Sequence, residues 1–125
     1  MRKINVADIT LKKLSEDRAV SLLFREKSAI ANCADRLGAD SIELPAVKSI
    51  REDSIIYKTI AKNVQNATLA IPVGFSADEV AAAWECVKDA KAPRLQVELP
   101  VIATALFVRA SALRRRVRRY SFRGI

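Results

Sequence analysis

The sequence predicts an α/β fold in which parallel strands alternate with helices. Short apolar segments alternate with longer segments of helical periodicity, and the last three apolar segments are centred near residues 42, 69 and 96. This repeat of about 27 residues is typical of βα units joined by right-handed crossovers. An eightfold barrel needs about 250 residues. The four units expected in these 125 residues therefore resemble half of a TIM (β/α)8 barrel, with an open sheet as the alternative.

Four apolar segments predict the strands of this sheet. They are residues 4–10, 41–44, 67–73 and 94–101. In the fourth segment, Leu95, Val97 and Leu99 alternate with Gln96 and Glu98. The alternation gives strand four one polar face, which suits a barrel lumen and equally the solvated side of an open sheet.

Three segments between these strands have apolar residues at helical spacing. The first should end at Gly38 in a left-handed cap, and the third should begin at Ser76, with Glu79 completing a capping box. The residues expected to be buried are Ile30, Cys33, Ala34 and Leu37 in the first helix, Ile56, Ile60 and Val64 in the second, and Val80, Ala83, Trp84 and Val87 in the third.

The composition excludes several kinds of chemistry. The chain contains no histidine, which rules out Ser-His-Asp and Cys-His catalysis and removes the commonest transition-metal ligand. Cys33 and Cys86 are far apart and are expected to be buried free thiols of a reducing cytoplasm rather than a disulfide. The N-terminus lacks a signal-peptide core, and the longest uncharged apolar run, residues 99–108, is far shorter than the roughly 20 residues of a membrane span. We therefore expect a soluble cytoplasmic protein with no transmembrane segment.

The positive charge is confined to the C-terminal segment. Residues 109–125 contain seven arginines and no acid, whereas residues 1–108 contain fifteen basic and fourteen acidic side chains, a net of +1. The body of the chain is therefore nearly neutral.

A motif at the end of the first predicted strand points to a family. Residues 8–13 read D-I-T-L-K-K, and nine further residues continue the pattern: Phe24, Glu26, Lys27, Ile30, Ala31, Leu37, Gly38, Ile42 and Glu43. The combination resembles the pyruvate-carboxyltransferase-like barrel enzymes, which include 2-isopropylmalate synthase, homocitrate synthase and hydroxymethylglutaryl-CoA lyase. In that family, strand one typically ends D-x-T-L-R-D-G-x-Q and strand two reads I-E. The resemblance covers about residues 1–101, as the N-terminal half of the barrel.

The resemblance implies roles for residues at the strand ends. The family's arginine polarises a substrate carbonyl or enolate oxygen, and Lys12 stands at that position. Lys12 and Glu43 are therefore the candidate catalytic residues, with Lys12 expected to point into the cavity towards Glu43 and Lys13 towards solvent. The candidate substrate-binding residues are Asp8, Thr10 and Gln96. The alternatives are that the lysines are a solvated strand end, that Asp8 only binds Thr10 or backbone, and that Glu43 forms a structural salt bridge.

The family's metal site is not expected in this chain. The family binds a divalent metal through an aspartate beside the arginine and two histidines, but Lys13 occupies the aspartate position and the chain has no histidine. Leu14, Ser15 and Glu16 also replace the Gly-x-Gln motif. We predict no cofactor in this chain.

Two functions remain open. Residues 1–101 would form the half-barrel of a truncated or divergent 2-isopropylmalate synthase-like enzyme, which joins an acyl-CoA to a 2-oxo acid in a Claisen condensation or performs the reverse cleavage. Such a chain should be weak or inactive alone and should self-associate or pair with a second half-barrel. Alternatively, the chain is a non-catalytic module that binds nucleic acid or another anionic surface through the Arg-rich residues 102–125, where Leu113, Val117 and Tyr120 share a helical face. A further alternative is that residues 102–125 are an artefact of truncation or of the reading frame.

Overall fold

A computed structural model of the chain describes residues 2–98. Its elements, in chain order, are β1 (Ala7–Asp8), α1 (Thr10–Glu16), α2 (Phe24–Arg36), β2 (Ser41–Glu43), α3 (Ile50–Asn63), β3 (Thr68–Val73), α4 (Ala77–Val87) and β4 (Pro93–Val97). All strand pairs are parallel, and the order in the sheet is β1-β2-β3-β4. The predicted α/β fold is confirmed and is consistent with half a TIM barrel. The end of the fourth predicted strand, residues 99–101, and the Arg-rich segment 102–125 lie outside the described residues.

The first strand is much shorter than residues 4–10, so that prediction is wrong. The Asp8 carboxylate accepts hydrogen bonds from the Thr10 backbone N–H (3.1 Å) and from the Thr10 hydroxyl (3.2 Å). A carboxylate that binds the N–H two residues further on stabilises a turn. This turn ends β1 at Asp8 and lets α1 begin at Thr10. Both lysines of the motif therefore lie in a helix.

One face of the sheet forms the core with the helices. Residues alternate along a strand, and one face of β2 and β3 with the residue after β2 carries completely buried side chains: Ile42, Leu44, Leu69 and Ile71. These side chains belong to one apolar cluster with Tyr57 and Ile60 of α3 and Val87 of α4. The opposite face carries small and polar residues, which confirms the predicted polar face of β4 at Gln96.

Two of the predicted helix faces are partly wrong. In α2, Ala34 is buried and Ile30 packs against the core, but Cys33 is exposed and Leu37 is 82% exposed. The buried face is rotated because Asp35 turns inward and accepts hydrogen bonds from three backbone N–H groups, those of Gln65 (2.9 Å), Asn66 (3.0 Å) and Ala67 (2.7 Å).

The third predicted helix shows a similar rotation. Ala83 and Val87 of α4 are buried as expected, but Trp84 is 44% exposed because Cys86 takes a place in the core instead. The capping box at Ser76 and Glu79 is confirmed. Both cysteines are free, and only Cys86 is buried.

Val80 of α4 is only partly buried, but the expectations for the second predicted helix and for Gly38 are confirmed. Ile60 and Val64 are buried, and Ile56 packs against the core. Gly38 follows α2 with a φ of 88°, a left-handed conformation that glycine adopts without steric strain. No helix within residues 2–98 is long and apolar enough to cross a membrane.

Candidate functional site

Four polar side chains meet at the carboxyl edge of the sheet, and we call them the strand-end cluster. Lys12 comes from α1, Glu43 ends β2, Gln96 lies in β4 and Glu98 follows it. The carboxyl edge is where barrel enzymes place their chemistry. Three of the four residues, Lys12, Glu43 and Gln96, are sequence-predicted site residues that the structure brings together.

The Lys12 ammonium group is the centre of the cluster. Lys12 Nζ lies 3.4 Å from Glu43 Oε2 and also donates a hydrogen bond to Glu98 Oε1. The side chains of Lys12 and Glu43 are only 18% and 16% exposed, whereas that of Glu98 is 53% exposed. Glu98 is therefore the partner that solvent or a ligand reaches most easily.

The two adjacent lysines point in different directions, as expected, but for another reason. They lie in α1, where successive residues are turned by about 100° around the helix axis, and not in a strand. Lys13 lies on the solvent side and pairs with Glu16 at 3.1 Å. This separation removes the like-charge repulsion between the two ammonium groups.

Glu43 and Gln96 contact each other across the intervening strand. Gln96 Nε2 donates a long hydrogen bond of 3.4 Å to Glu43 Oε1. In the sheet register, Ala70 of β3 is paired with Glu43 and Pro72 is paired with Gln96. These two residues are short and carry no long side chain, so they leave space for Glu43 and Gln96 to meet over β3. The amide thereby holds one carboxylate oxygen while Lys12 holds the other.

The charges of the cluster keep Lys12 protonated. The hydrogen bond to Glu98 raises the pKa of Lys12 above its usual 10.5, burial opposes this effect, and Glu43 adds to the rise. A protonated lysine donates hydrogen bonds and is not a nucleophile, so this geometry favours polarisation of an oxygen over formation of a Schiff base. One ammonium faces two carboxylates, so an anionic ligand can reach Lys12 only when Glu98, the more exposed partner, moves away.

Asp8 and Thr10 are bonded to each other at the turn between β1 and α1. The alternative in which Asp8 binds Thr10 is therefore the one observed. Neither residue shares a hydrogen bond with the strand-end cluster within residues 2–98. Their role as substrate-binding residues stays a prediction.

Glu98 is a site residue that the sequence reasoning did not select. It stands two residues after Gln96, so the alternation along the strand places it on the same polar face. That periodicity could have identified Glu98 as a partner of Lys12.

The residues do not fit the divalent metal that the family resemblance implies. Lys13, at the position of the ligating aspartate, is 61% exposed and paired with Glu16. The two converging carboxylates already share the Lys12 ammonium. Within residues 2–98, no three His, Cys, Asp or Glu side chains lie close enough together to hold a metal ion.

Comparison with known proteins shows that the chain is similar to 2-isopropylmalate synthases. It is 38% identical over 97 residues to a 2-isopropylmalate synthase of Bacillus velezensis, 37% identical to that of Bacillus pumilus and 36% identical to that of Halalkalibacterium halodurans. Each alignment covers 78% of this chain but 19% of the relative. No protein-family model matches the chain. The chain is thus related to a part of the 2-isopropylmalate synthases and spans about a fifth of their length.

Proposed function

We propose that the chain is a divergent 2-isopropylmalate synthase-like segment that binds a 2-oxo acid at the strand-end cluster. The observation that carries this proposal is the protonated Lys12, held by Glu43 at the carboxyl edge of a parallel sheet. The similarity to 2-isopropylmalate synthases over 97 residues supports the same class of substrate.

The Lys12 ammonium group supplies the positive charge that a carbonyl oxygen needs. In a Claisen-type condensation, the carbonyl carbon of the 2-oxo acid is attacked by the carbanion of an acyl-CoA, and negative charge develops on the carbonyl oxygen. Lys12 Nζ donates a hydrogen bond to that oxygen and stabilises the charge. Lysine is a point charge and lacks the bidentate fork of arginine, so the polarisation is weaker than with the family's arginine.

The other members of the cluster position Lys12. Glu43 fixes the ammonium group from the buried side, and Gln96 fixes Glu43. Glu98 must release the ammonium when a ligand arrives, and its exposure makes it the partner that can do so. Asp8 and Thr10 shape the turn between β1 and α1, the helix that carries Lys12.

The complete reaction requires more than these residues. The four parallel strands within residues 2–98 are half the number in an eightfold barrel, and the chain spans 19% of its relatives. Residues 1–101 therefore act as a half-barrel that is weak or inactive alone, and acyl-CoA binding depends on a second half. We place the protein in the cytoplasm, in keeping with two free thiols.

Binding of 2-oxobutanoate, followed by ligand-observed NMR, tests the role of Lys12. The chain should bind this probe weakly and less well at high salt, and Lys12→Ala should weaken binding by about tenfold or more, the effect of losing a charged hydrogen bond. Lys13→Ala is the matched control and should leave binding unchanged. Glu98→Gln should strengthen binding because one of the two competing carboxylates is removed.

Three results would contradict the proposal. They are no binding of 2-oxobutanoate, equal effects of Lys12→Ala and Lys13→Ala, and weaker binding by Glu98→Gln.

The second half-barrel is proposed to be another copy of the chain. Within residues 2–98, β1 and β4 are the two edges of the sheet, and apolar side chains near both are exposed: Ile4 and Val6 before β1 and Val97 at the end of β4. Unpaired strand edges favour association. Light scattering should show dimers or larger species at a chain concentration of tens of micromolar, which corresponds to a dissociation constant in about that range. A stable monomer at that concentration would count against this.

A second candidate function is supported by the charge distribution. Residues 109–125 contribute seven positive charges and no negative charge. Binding of such a segment to nucleic acid releases counterions and therefore weakens as salt rises. If the chain acts as a non-catalytic module, a duplex DNA probe should bind in low salt, and removal of residues 109–125 should abolish binding. A truncated chain that binds as tightly as the whole chain would exclude this function.

A further inference from the structure

A second concave region lies away from the strand-end cluster, between α1, the α1–α2 loop and α3. We call it the α1–α3 cleft, and its volume is about 220 Å³. Leu11 and Ile60, both buried, line its apolar part, and the polar lining includes Lys27, Lys48 and Tyr57. No member of the strand-end cluster lines the cleft.

Tyr57 is a largely buried residue, only 4% exposed, whose hydroxyl has no hydrogen-bond partner within residues 2–98. In that part of the chain, every side-chain nitrogen or oxygen that solvent cannot reach has a hydrogen-bond partner. The Tyr57 hydroxyl has none, so solvent must reach it, and it does so through the cleft that Tyr57 lines. Burial, with a smaller effect of Asp53, raises the pKa of Tyr57. The hydroxyl is therefore a neutral donor at physiological pH, and a ligand acceptor would satisfy it.

The cleft also has a surplus of positive charge. Lys27 and Lys48 are among the residues that line it, and neither forms an ion pair within the described part of the chain. The acidic lining residue is Asp53, whose Oδ2 already accepts hydrogen bonds from the backbone N–H groups of Lys48 (2.7 Å) and Ser49 (2.9 Å). Lys27 and Lys48 contribute two positive charges and Asp53 one negative charge, so the lining has a net charge of +1, which favours an anionic ligand.

We infer that the α1–α3 cleft binds a short-chain aliphatic monocarboxylate of four or five carbons. The carboxylate lies between Lys27, Lys48 and the Tyr57 hydroxyl, and the alkyl chain lies against Leu11 and Ile60. The volume of about 220 Å³ holds roughly seven non-hydrogen atoms if each takes the ~30 Å³ of a liquid water. Pentanoate, with its carboxylate, has that size. This site is independent of the proposed function, because it shares no residue with the strand-end cluster.

Titration of the ¹⁵N-labelled full chain with pentanoate tests the inference. Amide signals of residues that line the cleft should shift and saturate, and pentan-1-ol, which lacks the charge, should shift them at least about tenfold more weakly. Tyr57→Phe removes one hydroxyl and Lys27→Gln one charge, and each should weaken pentanoate binding by about fivefold to tenfold. Lys62→Gln changes an exposed lysine of α3, the helix that carries Tyr57; it is the matched control and should have no effect.

The outcomes separate this site from the oxo-acid site. Lys12→Ala should leave pentanoate binding unchanged, so loss of 2-oxobutanoate binding alone overturns only the function proposed above. Absence of saturable shifts, equal binding of pentan-1-ol, or unchanged binding by Lys27→Gln would overturn the inference. Tyr57 is buried, so Tyr57→Phe could disturb the core; in that case the result for Lys27→Gln decides the test.

Discussion

Asp35 should be among the side chains on which folding depends most, because it organises the chain between α3 and β3. Asp35 is only 6% exposed, and its carboxylate accepts hydrogen bonds from three backbone N–H groups. In Asp35→Ala, water can replace the carboxylate at the exposed residues Gln65 and Asn66, at a cost of about 0.5–1.5 kcal/mol each. The N–H of Ala67, 3% exposed, is left without an acceptor at a cost of about 1–3 kcal/mol. We expect a total loss of about 4 kcal/mol in the free energy of unfolding.

The pH dependence provides a second measure of the same contacts. Burial acts to raise the pKa of Asp35, but the N–H groups of Gln65, Ala67 and Asn66 outweigh it and lower the pKa below 3.8. Because the pKa is lowered on folding, the ionised carboxylate stabilises the fold fully above pH 3.8, and this contribution is lost as the pH falls through the folded-state pKa. Asp35→Asn keeps one acceptor oxygen and should lose about 2 kcal/mol at pH 7.

Urea unfolding followed by circular dichroism at pH 7, 5 and 3 measures both effects. Asp17→Asn is the control, since Asp17 also accepts a backbone N–H, that of Ala19 at 2.9 Å, but in an exposed loop. It should change the stability by less than about 0.5 kcal/mol. The reasoning is refuted if Asp35→Ala loses less than about 1 kcal/mol, or if the difference between wild type and Asp35→Asn is as large at pH 3 as at pH 7.

Three further predictions test other parts of the structure. Ser76→Ala removes the side-chain cap on the N–H of Glu79 and should cost about 1 kcal/mol in urea unfolding, and an unchanged midpoint would contradict the capping geometry. Trp84, the sole tryptophan, is 44% exposed, so acrylamide should quench its fluorescence strongly in the folded protein, and weak quenching would show that the indole is covered. Cys33 should react rapidly with a thiol reagent, whereas Cys86 should react only on unfolding because it is buried and burial raises its pKa; simultaneous reaction of both would contradict the packing of α4.

The sheet could be predicted from the sequence because its signals are repeated and local. The period of about 27 residues predicts parallel strands joined by right-handed crossovers. The capping box at Ser76 and the left-handed Gly38 also depend on neighbouring residues alone. The pairing of Lys12 with Glu43 followed from the rule that parallel strands end at one edge, although the element carrying Lys12 was misassigned.

The remaining features depend on contacts between distant parts of the chain. The end of β1 is set by one carboxylate that captures the Thr10 N–H, and a run of apolar residues gives no warning of it. The face of α2 is decided by Asp35, whose partners lie 30 or more residues further on. Apolar periodicity gives no sign of a polar residue that points into the core, so it wrongly predicts that Cys33 and Leu37 are buried. The cleft at Tyr57 depends on how three helices meet, which no spacing in the sequence encodes.

The strands differ widely in length, and this has a consequence for motion. β1 has two residues and β2 three, whereas β3 has six and β4 five. Local opening costs least where few backbone hydrogen bonds must break, so amides near β1 and α1 should exchange with solvent sooner than those of β3. Lys12 is carried by that readily opened end, while Gln96 and Glu98 belong to the more persistent end. A ligand that binds both Lys12 and Gln96 would fasten one end of the sheet to the other, and slower exchange in residues 10–16 would report that it is bound.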